Sequence, residues 1–274
     1  MIYYPKCNLH THSDLCDGAD SPQQIVEEAL RQGMEILGFS GHSYTSFDPH
    51  SCMSVEGTDR YKSEIARLKE RYGDRIRILC GLEQDFYSDQ PAEGHDYVIG
   101  SVHYVRKNGT YHSVDYKADQ VRTFIRTDFE DDVYKYTKAY YETLAQVVEK
   151  TGCQIVGHFD LVEKFNRGGM LFSNEDYRYR RPMLDALDVL LKKDVIFEIN
   201  TGVIARGHRD LPYPSPYVLR RIAEKRGRVI LSSDAHKKEA LTFAFSDAVQ
   251  YAKSCGIGAL TVPARHGWEL RSIG

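Results

Sequence analysis

The sequence predicts an α/β protein folded as a closed or nearly closed parallel barrel, and three observations lead there. Seven short apolar runs alternate with stretches of helical period across the 274 residues. No linker, low-complexity segment or internal repeat divides them. Side chains able to bind cations or move protons recur at the C-terminal ends of the runs. Strands alternating with helices indicate parallel βα units, and seven consecutive units favour closure. This length suits one large α/β domain, so residues 1–274 are read as a single unit.

The runs, in order, are YYPKCNLH (3–10), EILGFSGH (35–42), IRILCGLE (76–83), DYVIGSVH (96–103), CQIVGHFD (153–160), VIFEINTG (195–202) and RVILSSDAH (228–236). Amphipathic stretches at 21–33, 59–73, 131–152 and 215–227 supply helices between them. Ser21 before Pro22 is an N-cap followed by a first-turn proline, and Gly33, Gly73, Gly152 and Gly227 stand where glycines end helices. Two polar inserts, 105–130 and 166–179, each follow a histidine-bearing strand end. Long βα inserts of that kind cover the active face.

Thirty-six Lys and Arg against 39 Asp and Glu give a net charge of −3, without the basic excess of a chain that grips nucleic acid. No apolar run approaches the roughly 18 residues of a membrane span, and MIYYPKC lacks a leader pattern. The six cysteines contain no CxxC pair, which argues against a disulfide framework or a thiolate zinc site and for reduced thiols in a cytoplasm.

His10 and His12 end the first run, His42 the second, Glu83 the third, His103 the fourth and His158 the fifth, while Asp234 and His236 end the seventh. In parallel barrels that edge is where side chains from different strands converge. Residues i and i+2 of a strand share a face, so His10 with His12, and Asp234 with His236, can each chelate. Imidazole and carboxylate without thiolate suit Zn²⁺, Fe²⁺ or Mn²⁺, and so many donors exceed the needs of one ion. A lone strand-end histidine is usually a hydrogen-bonded structural residue. Six histidines and two carboxylates on six of seven strand ends are poorly explained by solvation alone. Asp17, in DGAD, reads equally as a ligand or as a turn before Ser21. His50, His95, His112, His208 and His266 fall outside the pattern and read as structural or solvent-facing, with His112, in the long insert, the one placed to touch a substrate.

With HTH at 10–12, Asp17, FSGH, GLE, SVH, GH at 157–158 and SDAH at 233–236, the chain resembles the PHP (polymerase and histidinol phosphatase) superfamily along almost its whole length. Within it, VDY (114–116) and GHFDLVEKF (157–165) resemble the stand-alone bacterial histidinol-phosphate phosphatases. The resemblance implies a distorted (β/α)7 barrel of TIM-like form carrying three divalent ions. His10, His12, Glu83 and Asp234 would hold the first, Glu83 with His103 and His158 the second, and Asp17, His42 and His236 the third. It further implies direct hydrolysis of a small phosphate monoester, L-histidinol phosphate in histidine biosynthesis, with Glu83, Asp17, His42 and Asp234 in the reacting zone. Water ionised between two cations would be the nucleophile. Arginine's planar fork suits the phosphate, and by loop position Arg206, Arg167 and Arg181 are the candidates. The rivals are hydrolysis of another small phosphate or nucleotide, a metal-stabilised structural module, and an amidohydrolase, which would need a bridging lysine where Glu83 stands. The chain could be a monomer or a homodimer.

Overall fold

The structure, a computed structural model, describes residues 4–274; the first expected strand reaches back to Tyr3, outside that range. In chain order the elements are β1 (Cys7–Asn8), α1 (Pro22–Arg31), β2 (Ile36–Phe39), α2 (Val55–Tyr72), β3 (Arg77–Asp85), β4 (Tyr97–Ser101), β5 (Tyr104–Lys107), β6 (Thr110–Ser113), α3 (Ala118–Asp128), α4 (Val133–Leu144) and α5 (Val147–Thr151). There follow β7 (Ile155–Val156), α6 (Tyr177–Leu190), β8 (Ile196–Asn200), α7 (Gly202–Ala205), α8 (Pro216–Glu224), β9 (Arg228–Ser232), α9 (Phe245–Ser254), β10 (Ala259–Pro263) and β11 (Trp268–Ser272).

The seven expected strands form one parallel sheet in the order β1-β2-β3-β4-β7-β8-β9. Its edges meet where the His12 amide donates to the Ala235 carbonyl (2.8 Å) and the Ala235 amide to that of His10 (3.2 Å). The result is a distorted (β/α)7 barrel. Strands β4 and β8 are buried throughout, as expected of parallel strands covered on both faces, which is why they read as unbroken apolar runs.

Tyr97 lies across the inside of the barrel, and its hydroxyl donates to the carbonyls of Leu9 and Phe39. A Cβ on Gly81 would stand 2.2 Å from that ring, so glycine there makes room for the tyrosine. Cys7, Leu9, Ile36, Ile99, Ile155, Ile196 and Ile230 fill the same interior. The antiparallel hairpin β10–β11 closes the barrel's N-terminal end: Val262 joins the interior cluster and Arg77, at the start of β3, donates to the carbonyls of Pro263 and Ala264.

The expected helices are present with shifted limits. Ser21 and Gln24 form a reciprocal capping box on α1, and α2 starts at Val55 because Ser54 caps it. The 131–152 stretch breaks into α4 and α5. Gly33 and Gly152 take the left-handed conformation expected of helix-ending glycines, but Gly73 and Gly227 do not. A Cβ would meet the Lys69 carbonyl at 2.5 Å from Gly73 and Ile222 at 2.8 Å from Gly227, so close approach is the reason for glycine at both. The 105–130 insert is ordered as the β5–β6 hairpin and α3, and α6 begins inside the 166–179 insert.

Candidate metal centre

Glu83 organises the barrel mouth. It is buried, and a parallel bridge with His42 continues the β2–β3 pairing up to it. Its Oε2 faces His42 Nδ1 at 3.0 Å, His10 Nε2 at 3.1 Å and His12 Nε2 at 3.3 Å. Its Oε1 faces His158 Nε2 at 3.0 Å and His103 Nε2 at 3.3 Å, and accepts from Ser101 Oγ at 2.7 Å. Asp234 Oδ1 lies 3.3 Å from His12 Nε2 and 3.6 Å from His10 Nε2. On the outer side, Asp17 Oδ2 lies 3.2 Å from His236 Nε2 and 3.5 Å from His42 Nε2. The structure thus brings together all nine side chains expected at strand ends or in DGAD.

Local backbone serves this convergence. Gly18 allows the 13–18 loop to fold back on β1's end, where a Cβ would sit 2.6 Å from the His12 carbonyl carbon, and so carries Asp17 inward. Asp234 has φ +48°, a left-handed conformation that is uncommon for a residue with a Cβ and that persists where surrounding contacts enforce it.

The electrostatics fit cation binding. Burial opposes charge on Glu83, yet His10, His42 and His103 overcome it and hold the carboxyl well below its ordinary range. Burial likewise opposes protonation of His10, but Glu198, Glu83 and Asp234 push it up to about 10; Glu83 and Asp85 do the same to His103, also to about 10. His10 Nε2, His12 Nε2 and Glu83 Oε2 are buried without a hydrogen-bond partner. Such atoms are costly to leave unpaired. Three groups bring ligand atoms within 4.8 Å of one another: His12, Asp17, His42 and His236; His10, His12 and Asp234; His42, Glu83 and His103. Divalent ions fit this donor set.

These groups open into a cavity of about 260 Å³ lined also by Arg206, Lys164, Asp48, Tyr104, Asp115 and Tyr116. Arg206 donates to Asp234 Oδ2 (2.7 Å) and to the Asp234 carbonyl (3.1 Å). Arg167 and Arg181 are not brought to the cavity. Exposed Arg167 pairs with Asp210 at 2.7 Å, and exposed Arg181 on α6 with Asp185 at 2.9 Å; local carboxylates take both forks. His112 stacks on Phe124 outside the cavity. Sequence reasoning missed Lys164, whose Nζ donates to Asp115 Oδ2 at 3.2 Å, although it stands within GHFDLVEKF. Burial opposes ionisation of Asp115, but Lys164 and His103 bring its pKa down to about 2. Also missed were Asp85, 3.3 Å from His103 Nδ1, and Glu198, whose signal was a carboxylate inside the apolar run VIFEIN.

A parallel barrel with a histidine–carboxylate cluster at its C-terminal mouth has the architecture of a metal-dependent hydrolase. More narrowly, the chain belongs to the PHP domain family, whose model matches residues 8–202. It is 29% identical to a protein of Deinococcus radiodurans named "Probable histidinol-phosphatase", over 95% of this chain and 96% of that one. It is 25% identical to the histidinol-phosphatase of Bacillus subtilis, over 86% of this chain and 95% of the relative. Its fold matches the crystal structure of histidinol phosphate phosphatase from Lactococcus lactis, solved with zinc, L-histidinol and phosphate, with a TM-score of 0.72, 21% identity and coverage of 96% and 98% of the two chains. No helix among the described residues is long and apolar enough to cross a membrane.

Proposed function

We propose that this chain is a metal-dependent phosphatase that hydrolyses L-histidinol phosphate to L-histidinol and inorganic phosphate. The observation carrying the chemistry is Glu83, buried with imidazoles facing both of its oxygens and opening into a cavity that also holds Arg206 and Lys164. Relatives named as histidinol-phosphatases over nearly their whole length support the choice of substrate. The reading takes residues 1–274 as one phosphoesterase domain working in the cytoplasm, with all six cysteines as thiols.

In this reading His10, His12, Glu83 and Asp234 hold one ion, Glu83 with His103 and His158 a second, and Asp17, His42 and His236 a third, as Zn²⁺, Fe²⁺ or Mn²⁺. Bound there, such ions supply Lewis acidity and water that ionises near neutral pH. Arg206 and Lys164 bind the non-bridging phosphate oxygens, Arg206 through its planar fork and Lys164 as a point charge. Asp115 keeps Lys164 aimed inward. The leaving alkoxide would take its proton from water, from Asp17 or His42, or from the substrate's own ammonium. Asp48 and Asp115 add carboxylates suited to a substrate ammonium and imidazole.

The test is phosphate release from L-histidinol phosphate by zinc- or manganese-loaded protein, beside p-nitrophenyl phosphate and a nucleoside monophosphate, with a chelator control. Chelator-sensitive turnover strongly favouring histidinol phosphate is the expected result. Turnover of the other two alone discards the substrate, and no turnover with metal bound discards the hydrolase.

A further inference from the structure

Glu198 carries a charge where β8 otherwise reads as a core strand. It is fully buried, a costly place for a carboxylate unless its lone pairs are filled. They are filled by four donors. Oε1 faces Ser232 Oγ at 2.5 Å and His10 Nδ1 at 2.6 Å; Oε2 accepts from the His158 backbone amide at 2.8 Å and from Asn200 Nδ2 at 2.9 Å. His10 and His158 stand on opposite sides of Glu83, their Nε2 atoms 3.1 Å from Oε2 and 3.0 Å from Oε1 respectively.

We infer that Glu198 is a positioning residue for the cation centre, acting through His10 and His158 rather than on substrate. As the acceptor for His10 Nδ1–H it leaves the Nε2 lone pair free to face the first ion. As the acceptor for the His158 amide it fixes the strand end that presents the second ion's imidazole. One carboxylate thereby sets the spacing of ligands on both sides of Glu83. The inference rests on the reading of this site as a metal centre.

Glu198→Gln separates positioning from mere filling of the core. The His158 amide can only donate, so the glutamine carbonyl must stay on that side, turning its NH₂ toward Ser232 and His10. The serine hydroxyl can rotate to accept. The imidazole accepts at Nδ1 only by carrying its proton on Nε2, which removes the lone pair aimed at the ion. Zinc affinity is expected to fall roughly 10- to 100-fold, with reduced stoichiometry by elemental analysis, while the metal-free variant keeps the circular dichroism spectrum of metal-free wild type and unfolds cooperatively, at a lower Tm because His10 has lost its charged partner. Phosphatase activity should return in part at saturating zinc. Wild-type zinc affinity and stoichiometry in a folded variant would overturn the inference but leave the metal centre standing. A wild-type protein that binds no divalent ion would overturn both.

Should the glutamine variant not fold, ¹⁵N-histidine NMR of zinc-loaded wild-type protein decides. His10 must show a proton on Nδ1 and metal on Nε2; coordination through Nδ1 overturns the assignment.

Discussion

Arg206 and Arg167 both follow strand ends in the sequence, and only Arg206 lines the cavity. The difference lies in their immediate partners. Arg206 reaches Asp234 across the end of β9, at 2.7 Å, whereas Arg167 pairs with Asp210 on the exposed surface. A strand end determines where a backbone emerges, not where a long flexible side chain points. Asp234 accepts from two nitrogens of Arg206, so the guanidinium is held in place before any phosphate arrives. Arg206→Ala is therefore expected to lower kcat/KM by on the order of 10²-fold, as does removal of other charge-stabilising donors. Steady-state kinetics at saturating metal would check this, and Arg206→Lys, which keeps charge without the fork, should recover only part of the loss.

The elements divide sharply in how legible they were. All seven barrel strands could be read, because buried parallel strands are apolar on both faces and all but β8 end in a candidate ligand. The hairpin β5–β6 was opaque: its residues are mostly exposed or half-buried, and the stacking of Tyr111 on Phe47 at 3.8 Å, which anchors it, joins segments far apart in sequence. Helix α3 did carry a signal, with Val121, Phe124 and Ile125 buried on one face, but it was masked by the charged residues between them. In α6, Tyr179, Met183, Ala186, Leu187 and Leu190 form the buried stripe, behind an arginine-rich start and with Pro182 inside the helix. The nine positions that converge at the barrel mouth were legible through strand periodicity and family motifs together; Glu198 was signalled only by one acid within an apolar run, which does not reveal the donors around it. Element contacts also shape the cavity. Tyr104 Oη donates to Asp48 Oδ2 at 2.6 Å, tying the hairpin to the 43–54 loop. A hydrogen bond to a charged group contributes roughly 1.5–3 kcal/mol, so Tyr104→Phe should raise KM about tenfold with metal content unchanged. An equal fall in kcat with no change in KM would show that the tie does not shape substrate binding.

At the scale of the molecule, protons and metal ions compete for one centre. Without metal, the folded-state pKa of His10 is raised from about 6.5 to about 10 by Glu198 and its neighbours. A histidine raised in this way lends its full stabilisation below the unfolded value and loses it as pH climbs through the folded one. The metal-free protein should therefore lose Tm between pH 7 and 10, and the metal-loaded protein, whose ligands have already shed those protons, should lose much less. Calorimetry of both forms across that range checks the prediction; parallel curves would mean that metal and proton do not share these atoms. The closing seam of the barrel has a consequence in time as well. Asn8 donates to Ser233 Oγ at 2.7 Å from a position 225 residues earlier, and the same seam joins His10 and His12 to Asp234. A ribosome adding about 5–20 residues per second takes roughly 10–45 s to traverse that interval. For all of it the nascent chain displays two histidines with no carboxylate from the last strand to complete their site. An ion that takes Asp234 together with His10 and His12 could be held in full only after the seventh strand has been made, so its uptake would record that synthesis has passed that point.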